Sequence, residues 1–182
     1  MKKEDIRRLV SAQKSLLSDN ERMDAAESVF ARLEQLAAFM VADNILVYHS
    51  LRDELPTHSF IDKWATRKKF FLPRVNGVNL EILPYNRTGL HLGAFQIEEP
   101  DGDELTPIDE IEIVVVPGVA YDRAGHRVGR GKGYYDRLLN NTRALKIGVA
   151  YDFQFVDEID NAPHDVDMDI IITEKRCVTV RK

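Results

Sequence analysis

From residue 127 to residue 136 the chain reads Arg-Val-Gly-Arg-Gly-Lys-Gly-Tyr-Tyr-Asp, so Gly129, Gly131 and Gly133 alternate with Arg130 and Lys132. Glycines let backbone N–H groups approach an anion without a Cβ in the way. Arg127, Arg130 and Lys132 supply positive charge. The apolar run Ile111–Val116 ahead of this stretch reads as a buried strand, and Tyr134–Leu139 after it as the first turns of a helix. Strand, basic glycine loop and helix start form a phosphate-binding arrangement, because a helix N-terminus adds unpaired N–H donors. Asp136, one turn into that helix, is placed to reach a metal ion carried by the same phosphates.

Two standard phosphate templates fail. The P-loop needs Gly, four residues, then Gly-Lys-Ser/Thr, but Gly131-Lys132 is followed by Gly133 and position 126 is His126. The dinucleotide pattern G-x-G-x-x-G closes one residue early at Gly133. The loop is therefore a phosphate binder of another kind.

Two further groups carry candidate chemistry. Asp53 and Glu54 follow the first strand, and His164-Asp165 precede the last long apolar run. Asp136 and Asp165 are hard oxygen ligands suited to Mg²⁺ held largely by phosphates and water. On spacing alone, however, Asp165 reads first as a turn residue in Asp165-Val-Asp-Met-Asp169. No nucleophile stands out: Cys177 has no positive cluster beside it, and no G-x-S-x-G elbow occurs. The residues alone therefore read as a phosphate- or nucleotide-using α/β enzyme with Mg²⁺, and they do not name its second substrate.

The elements that must position these groups alternate. A helix is expected over residues 3–16, with Ile6, Leu9, Val10, Gln13, Leu16 and Leu17 at helical spacing. Lys3 and Arg7 share one of its faces, and the spacing alone reads that face as solvated surface charge. A capping box at Ser18–Glu21 opens a long helix to Met40. Strands are expected at 44–48, at 69–72 (stopping at Pro73), at 80–83, 111–116, 146–150 and 168–173, with an edge strand at 178–180. Thr57 is expected to cap a helix to Arg67. The acidic segment 95–110 reads as a surface excursion. Residues 1–182 thus predict one domain, a three-layer α/β/α sandwich with a largely parallel sheet. Its polar loops after residues 48, 117 and 150 would meet beyond the carboxyl ends of the strands.

Composition sets bounds. The 182 residues carry a net charge of −5, so there is no global basic field, which excludes a nucleic-acid partner and favours a small polyanion. A single cysteine forbids an internal disulfide. No signal-peptide core and no run near the ~20 apolar residues of a membrane span occur. A cytoplasmic monomer acting on small molecules is expected.

The run Pro117-Gly-Val-Ala-Tyr-Asp-Arg-Ala-Gly-His-Arg-Val-Gly-Arg-Gly-Lys-Gly-Tyr-Tyr-Asp136 closely resembles the 5-formyltetrahydrofolate cyclo-ligase family, and the resemblance spans the chain. It implies ATP-dependent closure of 5-formyltetrahydrofolate to 5,10-methenyltetrahydrofolate, with release of ADP and phosphate. It makes Lys3 and Arg7 an N-terminal nucleotide contact, against the surface reading above. It implies that Arg127, Gly129, Arg130, Gly131, Lys132, Gly133, Tyr134 and Tyr135 hold ATP, with Arg130 and Lys132 acting on the transferred phosphoryl group. His49, Glu54 and Tyr135 would face the folate, and Asp136 and Asp165 would bind Mg²⁺. Ile97-Glu-Glu-Pro100, Gln154 and His164-Asp165 also match the family's pattern. Pro56 and His49 depart from it within the folate loop. Two rival readings are a sugar-phosphate isomerase-like or acyl-carrier transferase enzyme, for which these cations would be excessive, and a nucleotide sensor without turnover.

Overall fold

A computed structural model describes residues 1–181. Its centre is a seven-stranded sheet in the order β11-β10-β9-β6-β1-β2-β3. The strands are β1 (Asn44–Val47), β2 (Lys69–Asn76), β3 (Asn79–Pro84), β6 (Ile113–Val116), β9 (Leu145–Val149), β10 (Ile170–Ile172) and β11 (Cys177–Thr179). β10, β9, β6, β1 and β2 run parallel, and β11 and β3 are antiparallel edges. The all-buried run of β6 reflects this central place, since a parallel strand covered on both faces needs no polar alternation.

Helices α2 (Asp19–Glu34), α3 (Ala37–Val41) and α4 (His58–Trp64) cover one face. There Val29, Phe30, Leu33, Phe39, Phe60 and Ile61 join Ile45, Val47, Phe70, Leu72, Val115 and Ile147 in one core. The other face carries the short α5 (Tyr134–Leu139), with Tyr121, Leu139 and Met168 packed among Leu46, Phe71, Val114, Val116 and Ile171. Helix α1 (Lys3–Lys14) lies apart, against a small hairpin of β7 (Ala120–Tyr121) and β8 (Arg127–Val128). Ile6 and Val10 enter a third cluster with Ala120, Val128 and Ile159. Burial of each contributes about 1.5–3 kcal/mol towards seating α1 there.

Several local expectations are corrected. The helix expected from Asp19 to Met40 breaks at Leu36, whose backbone is extended at φ −67° and ψ 134°. The break turns Phe39 into the core and leaves Met40 and Val41 outside. The capping box at its start is present, with Ser18 Oγ and Glu21 Oε1 each accepting a backbone N–H at 3.1 Å. α1 ends at Lys14, and Leu9 within it and Leu16 beyond it are exposed rather than packed. Thr57 precedes α4 but does not cap it. Its hydroxyl donates to Tyr48 O at 2.8 Å and accepts from Ser50 N at 3.1 Å, closing the loop after β1.

β2 does not stop at Pro73 but pairs on with β3 to Asn76. Alternate amides point to opposite sides of a strand. Val75 directs its N–H away from β3, to Glu99 Oε2 at 2.7 Å, so Pro73 also faces away and no ladder bond is lost. Nor is the acidic segment only a surface excursion. β4 (Leu90–Leu92) and β5 (Glu98–Pro100) form a hairpin, and Glu99 is buried beneath it.

Candidate functional site

β1 connects onward to β2 on one side, while its other neighbour, β6, comes later in the chain. The loops leaving the carboxyl ends of these adjacent strands diverge there and open a crevice. It is a cleft of about 1280 Å³, walled by the 48–54 loop, the glycine loop, α1, the 163–166 turn and the β4–β5 hairpin. The three loops expected to meet at one edge of the sheet therefore do so.

The glycine loop departs from ordinary backbone geometry at Gly131 (φ +99°) and Gly133 (φ +71°). Gly133 occupies the cap position of α5 in a left-handed conformation that a Cβ would strain. With α5 only six residues long, its dipole is a minor term. The loop's cations and amides dominate instead. Arg137 pins the far end of the loop, donating to Lys132 O at 2.8 Å and, through Nε, to Val78 O at 2.8 Å.

α1 brings two cations to this loop. Arg7 Nε donates to Gly129 O at 2.9 Å, and Lys3 Nζ donates to Asp165 Oδ2 at 2.5 Å. Asp165 Oδ2 also accepts from Ala162 N at 2.9 Å. Burial works against ionising Asp165, but hydrogen bonds from Lys3 and Ala162 N–H outweigh it and hold the carboxyl below its ordinary range. Asp165 is therefore more than a turn residue, because it latches α1 over the loop. Asp136 Oδ1 accepts from Val166 N at 3.0 Å, which ties α5 to the same turn. Its Oδ2 has no protein partner among the described residues. His164 Nε2 stands 3.5 Å from Asp165 Oδ1 and is itself exposed. Arg127 donates to Pro117 O at 2.8 Å and lies 5.3 Å over the Tyr135 ring. Lys132 is exposed in the cleft, 5.7 Å from the Phe95 ring.

Across the cleft, Glu54 Oε1 accepts from Leu51 N at 2.9 Å. Burial pushes the Glu54 carboxyl up, against the opposing pull of that N–H and of Arg130. Arg130 Nη2 donates to both oxygens of Asp53, at 2.9 Å and 3.0 Å, and stands 3.8 Å from Glu54 Oε2. His49 stacks on His58 with ring centroids 3.8 Å apart, and burial, with His58 beside it, lowers its proton affinity. Tyr135 is packed against the sheet while also lining the cleft, and burial raises its phenol strongly. Tyr134 makes a 3.5 Å contact from its hydroxyl to Gly77 O. Every residue expected at the site thus lies on the cleft. Gln154 does not; its amide donates to Gly118 O and Val119 O and supports the loop from beneath.

Sequence reasoning missed Lys14, Arg22 and Phe95, which also line the cleft. Lys14 had a usable signal, since its spacing from Lys3 and Arg7 repeats one helical face. Burial lowers its proton affinity. Phe95 had none: it reaches the cleft through two successive left-handed residues, Phe95 and Gln96, that no local pattern announces.

The comparisons with known proteins agree with this geometry. Residues 1–174 match the model of the 5-formyltetrahydrofolate cyclo-ligase family. A 5-formyltetrahydrofolate cyclo-ligase of Mycoplasma genitalium is 30% identical over 182 residues, covering 93% of this chain and 96% of the relative. The Escherichia coli protein of that name is 25% identical over 178 residues, covering 92% and 98%. The solved structure of Aquifex aeolicus 5,10-methenyltetrahydrofolate synthetase superposes with a TM-score of 0.89 at 32% identity, covering 99% of this chain and 93% of that one. This chain belongs to the 5-formyltetrahydrofolate cyclo-ligase family.

Proposed function

We propose that this protein closes 5-formyltetrahydrofolate to 5,10-methenyltetrahydrofolate at the expense of ATP. The observation that carries the reading is the junction of two sites in one cleft. The α1-latched glycine loop offers cations and open amides, and Glu54, an acceptor for a pterin N–H edge, stands 3.8 Å from Arg130 of that loop. The names carried by the relatives support the same reaction.

The formyl oxygen is a poor leaving group. Transfer of the γ-phosphoryl group of ATP to that oxygen releases ADP and converts the oxygen into a phosphate ester. Nitrogen 10 of the folate then attacks the formyl carbon and loses its proton. The carbon–oxygen bond breaks, phosphate departs and the five-membered ring is closed. Arg127, Arg130 and Lys132 hold the phosphates, with the backbone of Gly129, Gly131 and Gly133 around them, while Tyr134 and Tyr135 frame the loop. Lys3 and Arg7 close over the nucleotide. Glu54 orients the pterin, and His49 lines the same pocket.

Asp136 and Asp165 are the residues that would hold Mg²⁺. Among the described residues Asp136 Oδ2 has no protein partner, and no group of three or more His, Cys, Asp or Glu side chains is set to hold a metal. A cation there takes most of its ligands from phosphate oxygens and water, as Mg²⁺ commonly does. When bound, Mg²⁺ neutralises charge on the transferred phosphoryl group. Among the described residues no helix is long and apolar enough to cross a membrane. The chain acts alone on its two small substrates.

The test is a near-ultraviolet absorbance assay with 5-formyltetrahydrofolate and Mg-ATP. Product absorbance that grows only with both ATP and Mg²⁺ present is expected. No product, with ATP and folate each bound, would instead fit a sensor.

A further inference from the structure

Asp53 carries none of the roles given above, yet it joins the two halves of the cleft. It sits on the 48–57 loop beside Glu54, 77 residues before Arg130 in the chain. Arg130 spends a single nitrogen, Nη2, on both Asp53 oxygens, at 2.9 Å and 3.0 Å. Its Nε and Nη1 have no protein partner among the described residues, so two of the three guanidinium nitrogens remain open. Each is a charged donor able to reach a phosphoryl oxygen.

We propose that Asp53 is a positioning residue that aims Arg130 at the phosphoryl group in transfer. The inference rests on the cyclo-ligase reading and adds a residue to it. Two features favour an aligner over a competitor for Arg130. First, the contact uses only one of the three guanidinium nitrogens and leaves Nε and Nη1 as donors for phosphoryl oxygens. Second, a bare carboxylate beside a transferring phosphoryl group would repel it, whereas Arg130 stands between the two charges. Asp53 is held ionised for this contact: burial opposes the charge, but Arg130 outweighs it. Asp53 and Glu54 also share one tight turn, closed by Leu51 N–H on Glu54 Oε1 at 2.9 Å. Seating the folate on Glu54 and aiming Arg130 therefore depend on the same short piece of backbone.

The side chains of Asp53 and Arg130 are each 52% exposed, so the pair adds little to stability and its removal leaves the fold intact. The experiment is a double-mutant cycle on kcat at saturating ATP and 5-formyltetrahydrofolate, using Asp53→Asn, Arg130→Lys and the double variant, with melting temperature as control. Asp53→Asn is expected to lower kcat on the order of tenfold to a hundredfold with little change in either KM, as for a misplaced catalytic group. In the Arg130→Lys background, where no guanidinium remains to be aimed, adding Asp53→Asn should change kcat by less than about twofold. Asp53→Glu, which keeps the charge, should recover part of the loss. An equal fall in both backgrounds would overturn the proposal, as would a single variant as fast as or faster than the wild type. Absence of methenyl product from the wild type would instead bring down the cyclo-ligase reading, and this inference with it.

Discussion

The two ends of the cleft are built in opposite ways. The glycine-loop end is sewn together across the chain: Lys3 meets Asp165, 162 residues away, and Arg7 meets Gly129, 122 residues away. The Glu54 end is folded locally. Glu54 is fixed by Leu51 three residues before it, the Tyr48 hydroxyl donates to Leu55 O, and Thr57 closes on Tyr48 O. The glycine-loop end is therefore completed only once α1 has docked, whereas the 48–57 loop is held by contacts within itself and with the end of β1. Nucleotide binding should be sensitive to anything that loosens α1, and folate binding should tolerate it.

The largest expected effect sharpens this contrast at the glycine-loop end. Lys132→Ala removes an exposed cation with no structural partner beyond the Phe95 ring, so the fold should stand while kcat falls by about 10²–10³. Steady-state kinetics with circular dichroism as control would check it, and near-normal turnover would show that the phosphoryl group lies elsewhere. Glu54→Gln should raise KM for 5-formyltetrahydrofolate roughly tenfold to a hundredfold, the loss of one charged hydrogen bond, with KM for ATP little changed. A change confined to ATP would break the division between the two ends.

Asp165→Asn should act the other way. It leaves Lys3 without its ion pair and should cost about 1–2 kcal/mol, less than a fully buried pair because the Lys3 side chain is 28% exposed. Calorimetric titration should find weaker nucleotide binding by about tenfold, with folate binding intact. Equal loss of both ligands would mean that α1 organises the whole cleft and not one end.

The smallest effect is in pH. The Glu54 carboxyl is raised from its ordinary 4.5, so it keeps its proton to higher pH and ionises only above that. The Asp165 carboxyl is depressed from 3.8, so the stability it contributes is present above its unfolded value and is lost only as pH falls through the lower folded one. On acidification kcat/KM for the folate should fail first, and that limb should vanish in Glu54→Gln. Stability linked to Asp165 should fail later.

Legibility followed the same contrast. The glycine loop could be read because its chemistry and conformation are both written in consecutive residues: only glycine suits φ +99° and +71° at Gly131 and Gly133. The alternation of apolar runs and helical spacing likewise announced the parallel sheet and its edge strand. What misled was local pattern without its partner. Pro73 looked like a strand end until the register showed its missing N–H facing away from β3. Glu99 looked like one more surface acid, yet it is buried with Val75 N–H as its donor. Leu36 gave no sign that α2 would end before Phe39 turned inward.

By itself the sequence determined the fold class, the position of the basic glycine loop and, through a motif too specific to arise by composition, the family. These depend on residue type at near neighbours along the chain, where propensity, periodicity and glycine geometry act directly. Only the tertiary structure decided which partners Lys3 and Arg7 meet on the cleft, Asp165 and the Gly129 carbonyl, that Asp165 latches α1, and that Asp53 holds Arg130. Those facts depend on which distant charges become neighbours when α1 buries Ile6 and Val10 against the β7–β8 hairpin. Spacing along a helix states which residues share a face, but not what that face will meet.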